Sequence, residues 1–88
     1  MASYRVEVKK SAQKEIRKLS KDIRKKVIKI INGLYNNPIP VEAKKIKGSK
    51  NIYRIRQGSY RIVYRIYKSE LTIIIVRVRH RKEVYEDL

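Results

Sequence analysis

The chain has 88 residues, no cysteine and a formal net charge of +16, from 24 Lys and Arg against 8 Asp and Glu. This length predicts a single small domain over residues 1–88, and the absence of cysteine excludes disulfides and thiolate metal sites within it. The hydrophobic fraction of 42% indicates a packed domain and not a disordered basic tail. The charge favours an anionic partner, for which nucleic acid is a better candidate than a membrane surface or an acidic protein.

The apolar segments are too short for a membrane protein. The N-terminal residues lack the apolar core of a secretory signal. The longest apolar run, Leu71 to Val76, is far shorter than the ~20 residues of a membrane helix and is typical of a strand buried on both faces. We therefore expect a cytoplasmic protein without membrane association, whose apolar residues are used in its core.

A strand and two helices are predicted in the N-terminal half. Residues 4–8 alternate as in a short strand. Ser11 and Ser20 are candidate N-caps of two successive helices, and the second helix should continue to about Tyr35, before the Asn and Pro residues at 36–40 end it. Apolar residues recur at helical spacing along both helices: Ala12, Ile16, Leu19, Ile23, Val27, Ile30, Ile31 and Leu34.

Three strands are predicted in the C-terminal half, after a loop at residues 41–50. Gln57 and Gly58 suit a tight hairpin turn between the first two strands, and residues 68–70 form the second turn. The predicted fold class is α+β, with an N-terminal strand, an α-helical hairpin and a three-stranded antiparallel meander that completes a small sheet. The predicted strands are Ile52–Arg56, Tyr60–Tyr67 and Leu71–Val78.

Arginine alternates with apolar residues along the predicted hairpin. If Gln57 and Gly58 are the turn, Tyr53 faces Ile62 and Ile55 faces Tyr60 on the side that covers the helices. The other side then has Arg54 opposite Arg61 and Arg56 opposite Ser59, with Arg65 further along. Directly opposed like charges destabilise a sheet, so this arrangement indicates a surface selected for a polyanion.

The second turn should add further arginines to this patch. With residues 68–70 as the turn, Arg77 lies opposite Arg61 and Arg79 lies near the strand end, although a slip of one residue would reverse the faces. We therefore expect a patch of four or five arginines with His80, Arg81 and Tyr85 at its edge. Arginine offers a planar set of donors that fits phosphate oxygens.

Such a patch could support RNA cleavage without a metal. Cleavage requires removal of the 2′-OH proton, stabilisation of charge at the phosphate and protonation of the leaving oxygen. Arginine serves the second task, and His80 is the only histidine and has an unperturbed pKa near neutrality. Tyr85 could stack on a base, align a proton transfer or anchor the C-terminal segment. No metal-ligand spacing, phosphate-binding glycine loop or nucleophile triad is present.

Over essentially its whole length, the chain resembles the RelE branch of the RelE/ParE toxin superfamily. The resemblance implies a toxin of a type II toxin–antitoxin pair that cleaves mRNA in the ribosomal A site without metal or cofactor. It also implies an acidic, RelB-like antitoxin as partner, besides ribosome and mRNA. The segments that carry the resemblance are Lys45–Gly48, Tyr53–Arg56, Gly58–Tyr64 and His80–Tyr85.

The resemblance also implies roles for single residues. Arg61 would stabilise the scissile phosphate, Arg81 would help to protonate the leaving oxygen, and Tyr85 would stack on or orient a codon base. Arg54 and Arg56 occupy positions that are lysines in the best-known member. Arginine cannot readily act as a base, so these two would bind phosphate. The further positions expected to contact RNA or ribosome are Lys45, Lys47, Arg65, Arg77, Arg79 and Lys82.

Proton removal from the 2′-OH is left without an obvious base. No carboxylate matches the glutamate base of YoeB-like relatives, so His80 or ribosomal RNA must assist, and the ribosome must supply much of the positioning. Two alternatives share the fold. A ParE-like protein would inhibit DNA gyrase, and a non-catalytic protein would only bind RNA or the ribosome. The set Arg61, Arg81 and Tyr85 favours the RelE branch over the ParE branch.

Overall fold

The computed structural model describes residues 3–80, which form two helices and one mixed sheet. The sheet has the order β1-β5-β4-β3-β2, with β1 parallel to β5 and all other neighbours antiparallel. The predicted α+β class, with an N-terminal strand, a helical hairpin and a late antiparallel meander, is confirmed. In chain order the elements are β1 (Arg5–Val8), α1 (Lys10–Arg17), α2 (Lys21–Gly33), β2 (Lys44–Lys45), β3 (Ile52–Gln57), β4 (Tyr60–Tyr67) and β5 (Thr72–His80).

The two helix starts differ in how they are capped. The Ser20 hydroxyl accepts the N–H of Ile23 at the start of α2, as predicted. The prediction of Ser11 as the other cap was wrong, because α1 begins at Lys10, where the preceding Lys9 contributes no side-chain cap. The Lys9 N–H still donates to the Ile75 carbonyl at 3.0 Å. The helix therefore begins directly where the β1–β5 pairing ends.

A two-residue strand was missed within the predicted loop at residues 41–50. Lys44 and Lys45 pair with β3, although two lysines carry no strand signal. The following turn holds them there, since the Ile46 N–H donates to the Ile52 carbonyl at 2.8 Å and Gly48 has a φ of 85°. Only glycine adopts such a φ without strain. Tertiary pairing thus creates an edge strand that the local sequence does not favour.

The core lies between the helices and one side of the sheet. It joins residues of both helices, such as Val27 and Leu34, to alternating residues of β3, β4 and β5. The prediction that Leu71–Val76 is buried on both faces was wrong: Ile73 and Ile75 are fully buried, whereas Ile74 and Val76 are only partly buried. The two helices cover one side of the sheet and do not cover the other.

Tyr64 connects the core to the segment after α2. Its ring is fully buried and stacks on Tyr53 at 5.9 Å between centroids, and its hydroxyl donates to the Pro38 carbonyl at 2.8 Å. Burial raises the pKa of the Tyr64 phenol, with a smaller contribution from the nearby Tyr53 and Glu42. The hydrogen bond holds the chain between α2 and β2 against the sheet.

The helices are also too short and polar for a bilayer. Within residues 3–80, no helix has the length and hydrophobicity needed to span a membrane.

Candidate nucleic-acid interface

The hairpin of β3 and β4 turns one residue later than predicted. Gln57 pairs with Tyr60, so the turn residues are Gly58 and Ser59. Gly58 has a φ of 58°, as the first central residue of a type II′ turn requires. The predicted pairs Tyr53–Ile62, Ile55–Tyr60, Arg54–Arg61 and Arg56–Ser59 were therefore wrong.

In the observed register, each residue of β3 shifts by two positions along β4. Arg56 lies opposite Arg61 and Arg54 lies opposite Val63, while Ile55 lies opposite Ile62 on the core side. Because the shift is even, every side chain keeps its predicted side of the sheet. The separation into an apolar side and an arginine side is confirmed.

The register of β4 and β5 contains a β-bulge. Arg61 lies opposite Arg79 and Val63 opposite Arg77, whereas Tyr64 lies opposite Ile75, so that Val76 is an extra residue in β5. The predicted pairing of Arg77 with Arg61 was wrong by two positions. A bulge shifts the alternation by one residue. It therefore keeps Ile75 on the core side and places the arginines after it on the opposite side.

Six arginines consequently share the side of the sheet away from the helices, which we call the arginine face. Three of them form a row across neighbouring strands, with Arg61 between Arg56 and Arg79. Within residues 3–80, no carboxylate forms an ion pair with Arg54, Arg56 or Arg65, while Arg77 and Arg79 both contact Glu15. The arginine face consists of Arg54, Arg56, Arg61, Arg65, Arg77 and Arg79.

Arg61 is the buried centre of this row. Only 4% of its surface is exposed. One terminal nitrogen donates to the carbonyls of Tyr60 at 3.1 Å and Gly58 at 3.4 Å, whereas its buried Nε has no hydrogen-bond partner among residues 3–80. A buried cation flanked by two further cations is electrostatically costly. An anion above the row would relieve that cost, so the arrangement suits a phosphate group.

His80 follows Arg79 at the end of β5, but its ring lies on the helix side of the sheet. It pairs with Tyr60 at the end of β5, and the two rings meet edge to face at 5.6 Å between centroids. This contact lies on the helix side of the sheet, in a cleft that Arg79 also lines, together with Lys14 and Lys18 of the helical region. The imidazole therefore lies on the other side of the sheet from Arg61, next to Arg79 at the end of β5.

The predicted positions Lys45 and Lys47 do not lie on the arginine face. Lys45 pairs with Tyr53 and so lies on the helix side, and Lys47 lies beside Gly48 in the turn before β3. Lys44, which the sequence analysis missed, pairs with Arg54 and extends the arginine face by one strand. No sequence signal could have found it, since β2 itself was not predictable. The predicted site residues Arg81, Lys82 and Tyr85 lie outside the described residues.

The described residues offer no metal site. Within residues 3–80, no group of three or more His, Asp or Glu side chains is placed to hold a metal ion. The arginine face itself offers cations and hydrogen-bond donors.

The sequence is similar to those of known toxins. The family model of the ParE toxin of type II toxin–antitoxin systems matches residues 6–85. Toxin RelE3 of Methanocaldococcus jannaschii is 40% identical over 81 residues, which cover 88% of this chain and 90% of that toxin. The family-model match includes both helices and all strands of the arginine face.

Solved structures show the same fold. The RelB–RelE antitoxin–toxin complex from Methanococcus jannaschii contains a chain that is 36% identical with a TM-score of 0.77, covering 93% of this chain and 98% of that one. The archaeal RelE–RelB complex from Pyrococcus horikoshii OT3 contains one that is 27% identical with a TM-score of 0.81, covering 90% and 96%.

The fold and its arginine face thus define a small toxin of the type II toxin–antitoxin class. Within that class, the chain belongs to the RelE/ParE family as a RelE-type toxin.

Proposed function

We propose that this protein is a ribosome-dependent endoribonuclease that cleaves mRNA in the A site without a metal and so inhibits translation. The observation that carries the proposal is the row Arg56–Arg61–Arg79, with Arg61 buried and unpaired by any carboxylate of the described residues. Three adjacent guanidinium groups stabilise a phosphate most when it gains charge, which is the situation in the transition state.

In this proposal each arginine has a specific task. Arg61 contacts the scissile phosphate, and Arg54 and Arg56 bind phosphate oxygens, because guanidinium groups do not act as bases at neutral pH. Arg81 assists protonation of the leaving oxygen and Tyr85 stacks on a codon base, as the family resemblance implies. The position of His80 on the helix side favours ribosomal RNA over His80 as the group that assists removal of the 2′-OH proton. The ribosome then supplies alignment of the attacking oxygen.

An acidic antitoxin is the proposed inhibitor. The two solved relatives described above are complexes of RelE with RelB, and a net charge of +16 favours association with an acidic partner. A RelB-like partner would place carboxylates over the arginine face and compete there with RNA. Co-expression and purification should yield a complex with an acidic protein; recovery of only basic partners would contradict this proposal.

Expression without antitoxin tests the nuclease proposal. Mapping the 5′ ends of translated mRNAs should reveal cuts at fixed positions within codons, which disappear when translation initiation is blocked. Arg61→Ala and Arg81→Ala should each abolish growth arrest while the purified variants keep the circular dichroism spectrum of the parent. Lys25→Ala, on the exposed side of α2, is the matched control and should remain toxic. Full toxicity of both arginine variants would remove their assigned roles.

A second candidate function is inhibition of DNA gyrase. It is favoured by the match to the ParE toxin family model. Intact mRNA together with inhibited supercoiling by purified gyrase would select this function. Intact mRNA with active gyrase and normal growth would leave a protein that only binds RNA or the ribosome.

A further inference from the structure

Glu15 is an acidic residue that contacts the arginine face from outside the sheet. β1 pairs with β5 only as far as Val8 opposite Ile75. Beyond Ile75, the outer edge of β5 has no strand neighbour within the described part of the chain. Helix α1 packs along β5, and Glu15, in its second turn, reaches this open edge.

The two carboxylate oxygens of Glu15 have separate partners. Oε1 accepts the backbone N–H of Val78 at 2.9 Å. Oε2 accepts Nε of Arg79 and lies 3.9 Å from a terminal nitrogen of Arg77. The Glu15 side chain is only 16% exposed and that of Arg79 is 25% exposed, so water weakens these charge-assisted bonds little.

The contact with Glu15 constrains the orientation of the Arg79 guanidinium group. Glu15 binds Nε, which is the guanidinium nitrogen nearest the backbone. The contact therefore restricts rotation of the guanidinium plane and leaves the terminal nitrogens at its far end. Arg79 lies directly opposite Arg61, and two adjacent guanidinium groups repel each other. The carboxylate bound to Arg79 offsets that repulsion.

We propose that Glu15 is a positioning residue of the arginine face, which acts on the phosphate through Arg79. Glu15 does not itself touch RNA in this proposal. It prearranges one of the three cations of the row, so that no reorientation is needed when the phosphate gains charge. For cleavage, this inference rests on the nuclease function proposed above.

Glu15→Gln removes the charge of the side chain that contacts Arg79 and keeps nearly the same side-chain shape. The amide replaces one carboxylate oxygen by an NH2 donor, so it cannot accept from Val78 on one atom and from Arg79 on the other as the carboxylate does. Glu7→Gln is the matched control. Glu7 lies on β1 in an exposed ion pair with Arg5, so this variant loses the same charge without touching Arg79.

Single-turnover cleavage of mRNA on programmed ribosomes tests the proposal. Glu15→Gln should lower the rate at saturating ribosome concentration by about ten- to a hundredfold, with an unchanged half-saturating concentration, whereas Glu7→Gln should match the parent. In an Arg79→Ala background, Glu15→Gln should add no further loss. A Glu15→Gln rate equal to that of Glu7→Gln, or a full additional loss in the Arg79→Ala background, would overturn the proposal.

A second readout does not depend on cleavage. The Nε–H proton of Arg79, followed by nuclear magnetic resonance, should exchange with water markedly faster in Glu15→Gln than in the parent or in Glu7→Gln. Unchanged exchange, or a Glu15→Gln variant that does not fold, would overturn the positioning role. If the parent protein itself does not cleave mRNA, the nuclease function fails, and the exchange rates alone then decide whether Glu15 positions Arg79.

Discussion

Arg61 combines two properties that rarely occur together, since it is both charged and almost fully buried. Its bonds to the carbonyls of Gly58 and Tyr60 satisfy one terminal nitrogen only, and its Nε has no hydrogen-bond partner in the described part of the chain. Arg56 and Arg79 add repulsion from both sides. We infer that Arg61 lowers the free energy of unfolding and is retained for its function.

Arg61→Met tests this interpretation. Methionine fills a similar length without charge, so we expect the free energy of unfolding to rise by roughly 1 kcal/mol as two like-charge contacts and an unpaired nitrogen disappear. Growth arrest should be lost in the same variant. Urea denaturation measures the first effect. A clearly less stable Arg61→Met protein would mean that Arg61 mainly supports the Gly58–Ser59 turn.

Tyr64 predicts an alkaline limit to stability. An unfolded tyrosine loses its proton near pH 10, whereas burial raises the pKa of Tyr64 in the folded protein. Above about pH 10 the unfolded state therefore binds fewer protons, and this residue's contribution falls by about 1.4 kcal/mol per pH unit. That contribution is fully present below pH 10.

Tyr64→Phe should remove this dependence. At neutral pH the variant should lose about 1–2 kcal/mol, because the partly buried Pro38 carbonyl loses its donor. The difference in unfolding free energy between parent and variant should then shrink as the pH rises from 9 to 11. A constant difference over that range would show that Tyr64 titrates normally.

At the scale of single elements, the two helix starts give a paired prediction. Ser20 caps α2 through the Ile23 N–H, whereas Ser11 lies inside the first turn of α1. Ser20→Ala should cost about 1 kcal/mol, and Ser11→Ala should be neutral or slightly stabilising, since alanine is the better helix former. Thermal unfolding measures both. Equal losses in the two variants would contradict the assigned cap.

The β-bulge is the element that assembles the arginine face. Ile73 and Ile75 are buried, so uninterrupted alternation would direct Arg77 and Arg79 into the core. The extra residue Val76 prevents this. The bulge leaves no signal in local composition, since every residue from Thr72 to Val78 favours a strand or tolerates one. Only the requirement to bury Val78 and keep the arginines outside selects it.

At the scale of the whole molecule, charge is present on two surfaces. Exposed lysines cover the outer side of the helices, and the arginine face covers the far side of the sheet. Both attract a polyanion at long range. Lysine is a mobile point charge and arginine a fixed planar group, so we expect the arginine face to make the close phosphate contacts.

Two triple variants of equal charge separate these surfaces. The affinity for a single-stranded RNA is measured by fluorescence anisotropy at 50–200 mM salt. The slope of log affinity against log salt decreases in magnitude by about 0.7 for each phosphate contact that is removed. The arginine variant should lower the slope by about 2 and the lysine variant much less; equal effects would show that only net charge matters. The variants replace Arg54, Arg56 and Arg65, or Lys21, Lys25 and Lys26, by alanine.

Sequence by itself determined which side of the sheet each arginine occupies in β3 and β4, because alternation has a period of two and survives any even shift of register. The same rule places His80 on the side opposite Arg79, its direct neighbour. Only the tertiary structure decided which arginines lie side by side. That choice depends on the turn at Gly58, the bulge at Val76 and the reach of Glu15 to the edge of β5. The exact turn position, the bulge and the Glu15 contact all depend on packing between residues that are far apart in the sequence, and no local pattern encodes that packing.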